Sequence, residues 1–261
     1  MGILNVTPDS FSEGGQFFDR DDAVKHAVEM VADGADIVDV GGESTRPGSD
    51  PVPVDEEIER VSSVVERLAD EVPRIPISID TRKAAVAASA LEAGATIVND
   101  VSAAADPEMF DIVRERSAAV VLMHKKGEPK TMQEAPVYDD VVGEVYEFLR
   151  GRIEAAELSG IDPERIAIDP GIGFGKDLGH NLELMQHIDA LLDLGRPILV
   201  GPSRKRFIGA ILNLPEYQRV EGTIGAVAWM VAHGAHVVRV HDVREVVRAV
   251  RVIDAIARGH A

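Results

Sequence analysis

The residues with chemistry to offer stand at the ends of short apolar runs. The run at 75–79 ends on Asp80, that at 96–98 on Asn99 and Asp100, and that at 166–168 on Asp169. A carboxylate so placed can accept two parallel N–H bonds from a flat heterocycle carrying an amino group and a ring N–H. Each such charge-assisted bond contributes about 1.5–3 kcal/mol. The competing role is helix N-capping, because Asp80-Thr81 and Asn99-Asp100 both precede helix-length segments. Asp80, Asn99 and Asp169 in series favour a shared ligand.

Cations stand at the ends of two later runs. The run at 198–200 leads into Ser203-Arg204-Lys205-Arg206, which opens a helix, and a basic helix start suits an anion. Arg239 and His241 follow the run at 237–238 with period-2 spacing, so both side chains point the same way. Together these groups suit a pyrophosphate; a lone Arg-x-His pair would otherwise be a surface feature. The stretch from Asp169 to Lys176 looks like a phosphate loop, but Asp177 stands where that motif needs Ser or Thr. Its alternating glycines instead let backbone pass close under a flat ligand with Phe174 over it; the plain alternative is a strand-to-helix turn. Asn5 opens a polar loop that contains Phe11, and a neutral amide oxygen can ligate Mg²⁺, an ion that leans on substrate phosphates. His124, alone after Leu122-Met123, reads as structural or loop-anchoring.

These residues need a frame that brings them to one place. About eight apolar runs of strand length end on polar residues, with helix-length segments between them. That pattern predicts an α/β fold, a single (β/α)₈ TIM barrel over 1–261 whose strand ends converge on one site. Helices are expected at 21–33, at 81–92, after Pro53 with Ile58, Val61, Val64, Val65 and Leu68 on one face, and at 243–257. The Gly-, Ser- and Pro-rich segment 41–53 and the segment 125–136 read as long loops, which are uncommon unless functional. The blocks at 32–38, 92–98 and 233–238 repeat one helix–Gly–strand junction, as repeated βα units would.

Composition narrows the class. A net charge of −18 argues against nucleic acid and anionic membranes as partners. There is no cysteine, so disulfides and thiolate metal sites are excluded, which fits a reducing, cytoplasmic setting. No run of 18 apolar residues and no signal-peptide pattern is visible. Of the 27 basic residues 20 are Arg and 7 are Lys. That balance suits either a salt-rich cytoplasm or an ordinary acidic enzyme.

Taken in order, the motifs are recognisable. The sequence resembles the dihydropteroate synthase family over essentially its whole length. The resemblance rests on Gly2-Ile-Leu-Asn-Val-Thr-Pro-Asp-Ser-Phe-Ser12, Asp39-Val-Gly-Gly-Glu-Ser-Thr-Arg-Pro-Gly48, Ile79-Asp80-Thr81, Val98-Asn99-Asp100-Val101, Lys130-Thr-Met-Gln133, Asp169-Pro-Gly-Ile-Gly-Phe-Gly-Lys176, Ser203-Arg-Lys205 and Arg239-Val-His-Asp-Val243. It implies condensation of 6-hydroxymethyl-7,8-dihydropterin diphosphate with 4-aminobenzoate, giving 7,8-dihydropteroate and pyrophosphate in folate biosynthesis, with sulfonamides as mimics of the aminobenzoate. It implies further that Asp80, Asn99, Asp169 and Lys205 bind the pterin, with Met123 and Phe174 lining its slot. Asn5, Arg239 and His241 would hold the diphosphate with Mg²⁺. Phe11, Thr45, Arg46 and Pro47 would belong to loops closing over the aminobenzoate, and Arg206 would add a nearby cation. A homodimer is expected. The sequence departs from the family in three places. It begins inside the first motif, where a hairpin usually comes first; Lys125-Lys126 replaces a common His-Met-Gln-Gly; and Ile172 replaces a frequent Phe. The main competing function is a pterin-binding methyltransferase barrel acting on methyltetrahydrofolate, which has no need of a pyrophosphate site. A Schiff-base aldolase would place its lysine on a strand, and a degenerate binding module would have lost motif acids.

Overall fold

The computed structural model describes residues 1–7, 20–44, 49–127 and 136–259. Eight short parallel strands follow one another in chain order: β1 (Gly2–Asn5), β2 (Val38–Gly41), β3 (Ile77–Asp80), β4 (Ile97–Asp100), β5 (Ala119–Met123), β6 (Ile166–Asp169), β7 (Leu199–Val200) and β8 (Val237–Val238). β1 to β6 pair consecutively, and β7 pairs with β8. Two parallel bridges complete the ring. Ile168 of β6 pairs with Ile198, and Gly2 of β1 with Val240 beyond β8. The second seam is also held by Ile3 N–H donating to Val240 O (3.0 Å) and Val240 N–H to Met1 O (3.0 Å). The expected barrel therefore closes.

Helices alternate with the strands: α1 (Arg20–Ala32), α2 (Val54–Glu71), α3 (Ala84–Glu92), α4 (Met109–Glu115), α5 (Val141–Leu158), α6 (Leu178–Gln186), α7 (Arg206–Leu212), α8 (Val220–Ala232) and α9 (Val243–Arg258). β7 and β8 are separated by two helices, the short α7 and then α8. On α2, Val61, Val64, Val65 and Leu68 recur at helical spacing and are all buried, as their pattern predicts. Truncating one such side chain, as in Leu68→Ala, costs about 2–5 kcal/mol.

Two helix starts depart from expectation. α3 begins at Ala84 rather than Thr81. The Thr81 hydroxyl donates to Glu57 of α2 (2.7 Å), and the N–H of Ala84 is capped instead by Asp106 (2.9 Å). Neither Asp80 nor Asn99 caps a helix, because both are committed to the barrel interior. The Ser203–Arg206 segment opens α7 only at its last residue; Lys205, just before it, is extended.

Strand alternation explains where the polar residues go. In β3, Ile77 and Ile79 face the hydrophobic layer under the helices, and Ser78 and Asp80 face the barrel interior. In β2, Val38 and Val40 face the helices while Asp39 and Gly41 face inward. The register then sets one level at the mouth: Asn5 beside Gly41, Gly41 beside Asp80, and Asp80 beside Asn99. Across the ring, Met123 stands beside Asp169.

Candidate active site

At the centre of the mouth lies Arg239. Its Nε donates to Asp39 (2.6 Å) and its Nη2 to Asp80 (2.6 Å), so two carboxylates fix the plane of the guanidinium. Asp39 is 0 % exposed and also accepts from the Asn99 side-chain amide (3.1 Å). Burial works against the charge of Arg239, but Asp39 and Asp80 more than offset it, and its pKa is raised. Burial also pushes Asp80 upward, against the pull of Arg239 and with Asp39 adding to the rise. One oxygen of each acid, Asp39 Oδ1 and Asp80 Oδ1, is buried without a hydrogen-bond partner, as is Ser78 Oγ. Buried acceptors without donors are costly, so a mouth that keeps them suits a ligand with N–H groups to give.

The second acid centre is Asp169, buried at the end of β6. Its Oδ1 accepts from Gly171 N–H (2.7 Å). Burial raises its pKa, while Lys205 and the Gly171 N–H act the other way. Lys205 approaches from beyond β7. Its Nζ donates to the Ile172 carbonyl and lies 4.3 Å from the Phe174 ring centroid. Burial lowers its pKa to about 8 even though Asp169 favours the charged form. The glycine loop makes this approach possible. Gly173 has φ +83°, and a Cβ there would lie 2.8 Å from the Lys205 side chain.

Beyond β8, His241 Nδ1 lies 2.9 Å from Ser203 Oγ, which also accepts the His241 backbone N–H at 3.1 Å. The expected Arg-x-His pair therefore joins the β7 and β8 loops. Arg204, which has φ +56°, forks onto Asp242 through Nε (2.9 Å) and Nη2. Asn5 closes the ring of mouth residues at β1. Its Oδ1 would lie 3.8 Å from a Cβ at Gly41, and Asp80 Oδ2 is at the same distance from that point. Both oxygens therefore border the Gly41 backbone.

Not every motif residue reaches the mouth. Arg206 is exposed at the start of α7. The Asp100 carboxylate is used in its own turn, accepting from Ser102 N–H (2.7 Å), Ser102 Oγ (2.6 Å) and Ala104 N–H (2.8 Å). Phe11, Thr45, Arg46, Pro47 and the motif at 130–133 lie outside the described residues. The departure at Lys125-Lys126 has a structural role in part. Lys126 donates to Val137 O (2.6 Å), pairs with Glu144 (3.0 Å) and covers the Tyr138 ring.

Asp39 is the participant that sequence reasoning passed over. The available signal was an acid between two valines inside a buried-type strand, where only a paired charge is tolerable. Lys176 was read as part of a phosphate-loop lookalike, yet its side chain is only 1 % exposed.

Known proteins are similar to this chain in sequence and fold. A model of the family described as "Pterin binding enzyme" matches residues 1–241. The dihydropteroate synthase of Escherichia coli K12 is 47% identical over 255 residues, covering 98% of this chain and 90% of that protein. The crystal structure of Yersinia pestis dihydropteroate synthase with a sulfonamide drug superposes with a TM-score of 0.94 at 42% identity, covering 98% of this chain and 93% of that one. Xanthomonas albilineans dihydropteroate synthase in complex with 7,8-dihydropteroate gives 0.89 at 44% identity, covering 98% and 92%. With its closed barrel, its buried acids and these relatives along nearly its full length, the chain belongs to the dihydropteroate synthases, a family of pterin-binding transferases.

Proposed function

We propose that this mouth joins 6-hydroxymethyl-7,8-dihydropterin diphosphate to 4-aminobenzoate. The C–O bond to the diphosphate breaks and its electron pair leaves with pyrophosphate. The amine nitrogen forms the new C–N bond and gives up a proton, leaving 7,8-dihydropteroate. The observation that carries this reading is the pairing, in one mouth, of buried acids with unused oxygens and half-buried cations beside them. The Xanthomonas relative binds 7,8-dihydropteroate, the product this reading requires.

In this reading Asp169, Asp80 and Asn99 receive the pterin N–H groups. Met123 and Phe174 border its ring, and Lys205 stands over its edge. Arg239 and His241 face the departing pyrophosphate, where cations lower the cost of the charge that develops. Asn5 would hold Mg²⁺, which when bound neutralises diphosphate charge. Phe11, Thr45, Arg46, Pro47 and Arg206 are assigned to the aminobenzoate side by their motifs. The acids, Lys205, Arg239 and His241 form the catalytic set.

We further propose that the chain acts as one domain, in the cytoplasm, as a homodimer. No helix among the described residues is long and apolar enough to cross a membrane. An apolar groove between α6, α7 and α8, bordered by the exposed Ile211, Leu212 and Trp229, supports a second copy as the partner. Sedimentation should give twice the chain mass, and Trp229→Glu should halve it.

The test of the reaction is product analysis. The two substrates together should give 7,8-dihydropteroate by mass spectrometry. Methyl transfer from methyltetrahydrofolate to a corrinoid, with no dihydropteroate formed, would overturn it.

A further inference from the structure

Lys176 heads the fully buried side chains by volume among the described residues, yet it touches none of the reacting groups assigned above. Its Nζ meets three acceptors: His124 Nδ1 at 2.9 Å, Gly171 O at 3.0 Å and Phe174 O at 3.1 Å. As an ammonium it has three donors for these three acceptors; burial lowers its pKa to about 7, with Asp169 favouring the charged form. His124 is held neutral, its pKa lowered to about 3 by burial and by Lys176 and Lys126, and so serves as an acceptor. Its ring stands edge-on to Phe148 of α5 with centroids 5.0 Å apart, and its backbone N–H donates to Asp169 O (2.9 Å).

The loop between these contacts is held by single bonds: Phe174 N–H donates to Gly171 O (3.0 Å), Gly173 N–H to Asn181 Oδ1 (2.6 Å) and the Tyr138 hydroxyl to Gly175 O (2.8 Å). Gly171, Gly173 and Gly175 all have positive φ, so no strand or helix ladder runs through it. It lies directly on the segment after β5. A Cβ at Gly171 would fall 1.8 Å from His124 O, and one at Gly175 would fall 2.1 Å from Lys126 O. Three proposed pterin contacts hang on this loop: Asp169 through Gly171 N–H, Lys205 through Ile172 O, and the Phe174 ring itself.

We propose that Lys176 is a positioning residue for the pterin slot. Its ammonium fastens the two ends of the glycine loop to His124, and so sets where Asp169, Phe174 and Lys205 stand. The inference rests on the pterin reading above and adds a residue that no proposed contact uses. Removing the ammonium takes the donor from Phe174 O and the His124 ring nitrogen and leaves Gly171 O with the Phe174 N–H alone, which moves the loop.

The test compares Lys176→Met with Leu149→Ala, a cavity in the α5 core that lowers stability. Binding of 6-hydroxymethyl-7,8-dihydropterin is measured by calorimetry below the melting temperature of each variant. Lys176→Met should bind roughly 10–100-fold more weakly, the usual cost of losing a supporting contact. Leu149→Ala should bind as wild type does, and the KM for 4-aminobenzoate should move little in either. Should Lys176→Met not fold, His124→Leu and His124→Gln carry the test. The leucine should lose affinity and the glutamine, whose amide oxygen can accept, should recover much of it. Wild-type affinity in Lys176→Met, or equal loss in both histidine variants, overturns the clamp. A wild-type protein that binds no pterin overturns the underlying reading instead.

Discussion

Arg239 and Lys205 are both half-buried cations at one barrel mouth, but they are held in opposite ways. Arg239 is gripped by the carboxylates of Asp39 and Asp80 and is charged at any working pH. Lys205 leans on a carbonyl dipole and an aromatic face, with Asp169 near enough to attract it, and its pKa falls to about 8. Dipoles do not compensate burial as fully as ions do. One side of the mouth therefore carries a permanent charge and the other a charge within reach of pH. A departing pyrophosphate needs the first. A neutral pterin ring edge, bound before and after bond cleavage, is compatible with the second.

The largest effect should come from breaking the gripped side. Arg239→Ala removes the partner of two buried acids, which typically costs about 3–5 kcal/mol of stability. It also removes a leaving-group cation, worth about 10²–10³ in turnover. Denaturant unfolding and kcat read the two losses separately, and a variant as stable as wild type would mean that the acids are not charged in its absence. His241→Ala should lose turnover more than free-pterin affinity.

Next comes the acid opposite. Asp169→Asn cannot accept both pterin N–H bonds, and leaving one unpaired costs about 1–3 kcal/mol of binding. Unchanged affinity by calorimetry removes Asp169 from the slot.

The comparison itself is sharpened by pH. A lysine whose pKa is lowered to about 8 is charged below that value and neutral above it. Affinity for 6-hydroxymethyl-7,8-dihydropterin, whose ring edge Lys205 faces, should therefore fall as pH rises through about 8. Lys205→Arg should abolish that step, because a guanidinium stays charged. A step that persists in Lys205→Arg belongs to another group.

The smallest effect concerns the whole surface. The substrates are anions and the chain carries −18, so association should be slow at low salt. Near 1 M salt the screening length is about 3 Å, which silences distant acids and spares direct contacts. kcat/KM for the diphosphate should rise or hold with added KCl, with folding followed by circular dichroism. A steep loss in folded protein removes the surface charge from the account.

Much of this arrangement was legible in the sequence because it is local. Apolar runs ending on Asp80, Asn99 and Asp169 announce strands, their carboxyl ends and a shared mouth. What escaped depends on contacts distant in sequence. Nothing near Asp39 reveals that Arg239, 200 residues later, will pair with it. Nothing near Lys176 shows that His124 waits across the β5–β6 seam. The start of α3 was misplaced for the same reason, since Glu57 and Asp106 decide it from other elements. Closure of the barrel was harder still to read, because two of its seams are single bridges rather than strand pairs.

The most direct test of the account is pyrophosphate release from 6-hydroxymethyl-7,8-dihydropterin diphosphate, with and without 4-aminobenzoate. Release that depends on the amine and matches 7,8-dihydropteroate one for one is the predicted result. No release, or release unconnected to dihydropteroate formation, would contradict it.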